Sequence, residues 1–245
     1  VLTAMGRPRP YVTSLPVELQ RAVVADAMRA SLEVKDYAGA DKYNSDLEVV
    51  GLPAGMKPAI AVLRGRLAEA LGRDNDALDQ YKIAVNSPDR AAAAEAKLRD
   101  IALRKRRDEF SPADVLRELE TLSVTWRGDG TEVKTLLMLA RIYADSGRYA
   151  DSFAAWRNAT RLEPNSDMVR QGQDEAAALF AQLFLSPKGD DLPPVEALSM
   201  FYEYRELTPI GRRGDEMIRR LADRLVAVDL LDQASELLQY QVDKR

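Results

Sequence analysis

The chain of 245 residues contains no histidine and no cysteine. Without them there is no serine–histidine or cysteine–histidine nucleophile. There is also no imidazole proton shuttle, and no Cys/His site for zinc, haem or an iron–sulfur cluster. No disulfide is possible either, so thiol usage separates no redox compartment, and cytoplasmic and periplasmic surroundings stay equally open. Aromatic residues are scarce, at 7%. No run approaches the ~18 consecutive apolar residues of a membrane span. Acidic residues outnumber basic ones, 39 to 35, for a net charge of −4. That balance argues against bulk nucleic-acid binding. The chain opens on Val1, with no charged segment leading into an apolar one, and the helical pattern over Ser235 to Arg245 keeps a face of Leu237, Leu238, Tyr240 and Val242. Both ends therefore read as cut from something longer, with the final face still wanting a partner.

What is present is helix. Apolar residues recur at helical spacing over Pro16–Leu32, Ile60–Leu71, Asp76–Val85, Ala91–Leu103, Val133–Asp145, Tyr149–Leu162, Met168–Leu185, Val195–Leu207, Asp215–Val228 and Leu231–Lys244. The pair Ser111-Pro112 opens another run, with serine as the cap and proline in a first turn that needs no N–H there. Gly51, Gly72, Pro88, Gly147, Pro164 and Pro209 fall between these runs. Strand-like alternation is nearly absent.

The runs repeat. Lys134 to Ser166 carries Leu136, the pair Leu139-Ala140, Tyr143, a turn at Gly147, then Tyr149, Ser152, Trp156, Ala159 and a closing Pro164. This unit resembles the tetratricopeptide repeat, a helix–turn–helix of ~34 residues in which small residues let two helices approach and large ones fill the gap between units. Leu136 stands where the family has tryptophan, and Ser152 where it has alanine. A second unit over Ala59 to Pro88 has Gly65, Gly72, Ala77, Tyr81 and Ala84, but Arg64 and Ala68 depart from the pattern. A third, from Asp215 onward, has Leu221-Ala222, Leu225, Leu231, Ala234 and Leu238, with Asp229 replacing the turn glycine. Weaker units centre on Tyr37/Ala40, Phe110/Ala113 and Ala197/Phe201/Pro209. The small residues expected to open the second helices are Ala40, Ala77, Ala113, Ser152, Ala197 and Ala234, at intervals of 37, 36, 39, 45 and 37. The longest interval holds the loop Ser186 to Pro194. The resemblance implies an all-α chain: an α/α superhelix of six antiparallel hairpins in one body over residues 16–245, after an extension over residues 1–15.

The resemblance also implies a class of function. Such superhelices hold a peptide or partner protein in a concave groove lined by the first helix of each hairpin. The groove candidates are Lys134, Leu137, Arg141 and Asp145 in the best unit, with Val62, Arg66 and Glu69 in the second. Arg99, Arg106, Arg107, Arg219 and Asp223 follow in the others. With so many cations, an acidic or carboxylate-ended segment is the expected partner. Amide side chains are missing from these positions, so the chaperone-binding subtype of the family is not implied. The run Arg104-Lys105-Arg106-Arg107 reads as the positive end of one helix meeting acids before the next, and nucleic acid is not expected there. Asp74-Asn75-Asp76 lacks the offsets of a calcium loop and reads as a turn and cap. Trp156 and Trp126 read as core, and of Tyr202 and Tyr204 one is expected at the surface. Asp190/Asp191 form an acid pair in a loop with no partner, so no catalytic group, metal or cofactor is expected. The alternative is a structural or regulatory arm of a larger enzyme or envelope assembly, packing on missing domains or on a second copy.

Overall fold

The computed structural model describes residues 14–244. Among these residues there is no strand, and twelve α-helices follow one another: α1 (Val17–Glu33), α2 (Tyr37–Val50), α3 (Lys57–Ala70), α4 (Asp74–Val85), α5 (Arg90–Arg106), α6 (Pro112–Thr125), α7 (Gly130–Asp145), α8 (Tyr149–Leu162), α9 (Asp167–Leu185), α10 (Pro194–Glu203), α11 (Arg212–Ala227) and α12 (Leu231–Lys244). None is long and apolar enough to cross a membrane. The fold is all-α and built from helical repeats, as the periodicity predicts. Most of the extension expected over residues 1–15 lies outside the described residues.

Local chemistry starts these helices. Asp36, Asp89 and Ser111 cap α2, α5 and α6, each accepting a hydrogen bond from a backbone N–H three residues on, one of the donors a helix start leaves unpaired. The acids Asp74 and Asp76 occupy the first turn of α4, where they suit the positive helix end.

The turn inside a pair is one device used five times. Lys35, Gly72, Asp108, Gly147 and Asp229 all take the left-handed conformation, with φ between 55° and 76°. At each, the next residue's N–H returns to a carbonyl five residues back, as in Arg73 to Ala68 at 2.8 Å and Leu230 to Leu225 at 2.9 Å. The turn residue itself donates three residues back. This pair of hydrogen bonds closes a helix C-terminus. Glycine takes the shape freely. Lysine and aspartate meet it at a steric cost, so Asp229 keeps the turn that its identity obscures.

The fourth residue of each second helix then lands on its partner. Ala40, Ala77, Ser152, Ala197 and Ala234 hold that place and are buried. In α6 the place belongs to Val115, fully buried, and not to Ala113, which is exposed. With Val115 the intervals become 37, 38, 37, 45 and 37, more regular than the alanine at 113 suggests. The error arose because Pro112 starts α6 three residues after the turn closes. Ser152 donates its buried hydroxyl to the carbonyl of Ala140 at 2.7 Å, so serine serves where most of the other pairs have alanine.

The helices group into two compact units, residues 1–135 and 136–245, the division falling within α7. Repeat contacts reach only the nearest neighbours, so a chain of hairpins can divide while its period continues. In the first unit, α1 packs on α2, α3 on α4 and α5 on α6, while α1, α3 and α5 also touch in succession. Alanines 61, 68, 77, 84, 92 and 96 surround the buried ring of Tyr81. Gly65 of α3 lies so close to that ring that a Cβ there would fall 2.3 Å from it.

The second unit fills space with rings. Phe153 meets Phe180 edge-on at 5.6 Å and Tyr204 at 5.2 Å. Between α9 and α10, Phe180 and Phe184 reach Phe201 at 6.3 and 5.9 Å. The fifth pair also carries the longest interval. Neither tyrosine near it is fully exposed. Tyr204 is buried, its hydroxyl donating to the carbonyl of Ala150, and Tyr202 is half-buried against Phe201 and Tyr240. Trp156 is core, whereas Trp126 is half-buried and donates to Asp129 at 2.9 Å.

Candidate functional site: an arginine seam on successive first helices

The repeat places equivalent residues at equivalent distances from the turn. Ten residues before it stand Val62, Leu98 and Leu137, all buried. Val62 joins the cluster that includes Ala92 and Ala96 of the next first helix. Leu137 packs against Gly172 of α9, where a Cβ would come within 2.7 Å of it. Val62 and Leu137 are therefore not groove residues, and that expectation is corrected: the following hairpin covers this position. Arg219 holds the same place in α11, exposed and paired with Glu216 of its own helix at 2.9 Å.

Six residues before the turn stand Arg29, Arg66 and Arg141. In the first unit Arg29 and Arg66 at this position build a seam together with Arg99, which stands nine residues before its turn. Arg29 of α1, Arg66 of α3 and Arg99 of α5 surround Glu95, at 3.8, 3.7 and 3.3 Å. Arg66 is the most enclosed, with its side chain only 14% exposed. Burial lowers its pKa, the charge of Arg99 lowers it further, and Glu95 only partly compensates. The seam continues through Tyr81. Its phenol donates to Glu69 at 2.8 Å, and Glu69 and Asp74 hold Arg106 at 3.0 and 3.1 Å. Burial first, and then Glu69, push the Tyr81 phenol well above its ordinary value, so it stays a neutral donor.

Of the expected groove cations, Arg66 and Arg99 come together and Arg106 lies on the same polar network. Arg29 escaped sequence reasoning. Its signal was the spacing to the turn, hidden because Lys35 stands where Gly72 and Gly147 stand elsewhere. Lys134 is exposed on the part of α7 in the first unit. In the second unit Arg141 makes a fork on Glu175 of α9, at 2.8 and 3.0 Å. The other basic cluster is neutralised locally. Arg104 pairs with Asp100 and Glu109, Arg106 with Glu69 and Asp74, and Arg107 with Glu109. It forms the end of α5, as its sequence suggests.

A shallow depression of about 260 Å³ lies elsewhere in the first unit, lined by Val85, Arg90, Ala93, Lys97, Leu122 and Trp126. Its cations are engaged, Arg90 with the Thr125 carbonyl and Lys97 with Glu118. Among the described residues no group of acidic side chains is placed to hold a metal ion. Compared with known proteins, the chain matches no family model and no curated sequence.

Proposed function

We propose that the chain is a non-catalytic interaction scaffold of the tetratricopeptide kind, holding an acidic segment of a partner protein along the first-helix face of its first unit. One observation carries this reading: Arg29, Arg66 and Arg99, from three successive first helices, share a single glutamate. Glu109 and Glu216 are each shared by two arginines from a single helix or its cap, whereas Glu95 draws arginines from three helices. In repeat arrays of the kind this chain resembles, the first helices line the face offered to a ligand, and the placement of these cations on three first helices supports the reading.

The test is a comparison of peptide pools with acidic, neutral and basic composition, titrated against the whole chain. The acidic pool binds best, by about tenfold, and Arg66→Gln with Arg99→Gln removes that preference. Equal binding of acidic and neutral pools rejects the acidic partner. A second reading, an arm that associates with another copy, is favoured by Val226, Val228, Leu231, Leu238 and Val242, apolar residues left exposed on α11, α12 and their turn. Sedimentation that shows a monomer across a wide concentration range rejects it.

A further inference from the structure

Two of the seam's three arginines are poorly served by the protein itself, while Arg99 donates to Glu95 and faces the Tyr81 hydroxyl. Arg66 makes no hydrogen bond within 3.5 Å to any described residue, and its nearest carboxylate oxygen is 3.7 Å away. Arg29 stands at 3.8 Å, and only Arg99 donates to Glu95 within hydrogen-bonding range, at 3.3 Å. A guanidinium carries five N–H donors, and enclosing it without acceptors is unfavourable. Its neighbours add to the cost, because Arg99 and Arg29 are like charges. The equivalent Arg141 shows the alternative, a complete fork on Glu175. The fold can therefore satisfy this position, and around Arg66 it does not.

We infer that the Arg29–Arg66–Arg99 cluster receives a phosphoryl group, carried by a phosphorylated side chain of the partner segment. This deepens the acidic-partner reading and rests on it. Three cations against one carboxylate in contact leave two positive charges uncompensated there, with Glu33 acting on Arg66 only at longer range. A phosphate monoester brings close to two negative charges and three acceptor oxygens at neutral pH. A carboxylate brings one charge and two oxygens, which Glu95 already supplies. Guanidinium forks on separate helices suit such an acceptor, since each can take a different oxygen. The carrier is a protein segment rather than nucleic acid or an anionic membrane. The chain's net charge of −4 opposes approach to a polyanion, and the cluster is a compact one around a single carboxylate, contributed by three helices.

The probes are three peptide pools with degenerate flanks and one fixed centre: phosphoserine, glutamate or serine. They are titrated by fluorescence anisotropy at about 0.15 M ionic strength. The phosphoserine pool is expected to bind at least about tenfold more tightly than either other pool. Arg66→Gln removes that margin. So does Arg29→Gln, at a side chain 44% exposed, where the change is expected to leave the fold intact. Glu95→Gln is expected to tighten phosphoserine binding several-fold, an effect that a purely structural ion cluster would not give. Millimolar inorganic phosphate competes with the peptide. If glutamate binds as well as phosphoserine and both exceed serine, the phosphoryl inference falls and the acidic-partner reading stands. If all three pools bind alike, both fall. Preference for vesicles bearing phosphorylated lipid over the peptide, or no competition by phosphate, also overturns the inference.

Discussion

The two units keep one period and pack in opposite ways. In the first, small residues bring helices together: Gly65 approaches the Tyr81 ring too closely for a Cβ, and alanines line the contact. In the second, rings fill the contact, and Phe180, Phe184 and Phe201 meet across the fifth pair. Small residues let backbones approach closely, while aromatic rings bury a large area per residue. The charged faces differ as well. In the second unit Arg141 is satisfied by a fork, and in the first Arg66 is left short of acceptors. Regular packing on the side of the first unit positions its unsatisfied cations on successive helices.

The contrast can be broken most strongly at Phe201. It is fully buried among rings, and Phe201→Ala is expected to cost about 3–5 kcal/mol. The molecule supplies its own reporters, since Trp126 lies in the first unit and Trp156 in the second. In a Trp126→Phe background, denaturation followed by Trp156 should shift strongly. With Trp156→Phe instead, the Trp126 transition should hardly move. Equal shifts would mean that the two units unfold as one, and the comparison would lose its thermodynamic content.

Next in size is Gly65→Ala. Its new methyl must displace the Tyr81 ring, and a loss of about 1–3 kcal/mol is expected, read by Trp126. An unchanged denaturation midpoint would show that the first unit is not tightly packed there. A smaller effect of opposite sign is expected at the turns. Lys35→Gly and Asp229→Gly should each stabilise by up to about 1 kcal/mol, because glycine relieves the left-handed strain. Calorimetry of the two variants against Gly72→Ala, which should destabilise, tests whether the five turns are equivalent.

The smallest effect concerns acid. Burial pushes the Asp129 carboxyl upward, but hydrogen bonds from Trp126 and Thr131 outweigh it and hold the pKa below the ordinary 3.8. A depressed carboxylate stabilises the folded state above its unfolded pKa, and that contribution fades as pH falls through the folded value. The group is largely exposed, so less than about 1 kcal/mol is at stake after screening. Asp129→Asn should flatten the stability of the first unit below pH ~4, with no change in the second.

Much of this architecture is legible in the residues. The runs Tyr149–Leu162 and Leu231–Lys244 match α8 and α12 in extent, and Ala77, Tyr81, Leu139, Ala140, Trp156, Ala159 and Ala234 are buried as the repeat pattern requires. Tyr143 lies under the Arg148 guanidinium at 4.3 Å, Gly147 makes the turn, and Pro164 follows the end of α8. What the sequence hid has identifiable causes. The helix α2 buries little beyond Ala40 and Leu47, so its periodicity is faint. Lysine and aspartate at left-handed turns removed the punctuation that glycine gives. Val62 and Leu137 looked free because a single hairpin does not reveal which of its faces the next one covers. The site suffered most from this, since Arg29 becomes visible only when the turns are aligned.

Those five turns have a consequence for the history of the chain. Because Asp36 and Arg73 leave the same hydrogen-bonded corner in the same geometry, the two corners are interchangeable joints. A genetic exchange that joins one to the other adds or deletes a whole hairpin without disturbing the helix on either side. Length in such a molecule is a countable trait, altered in steps of one repeat, while a cut anywhere within a helix would strand a half-buried face.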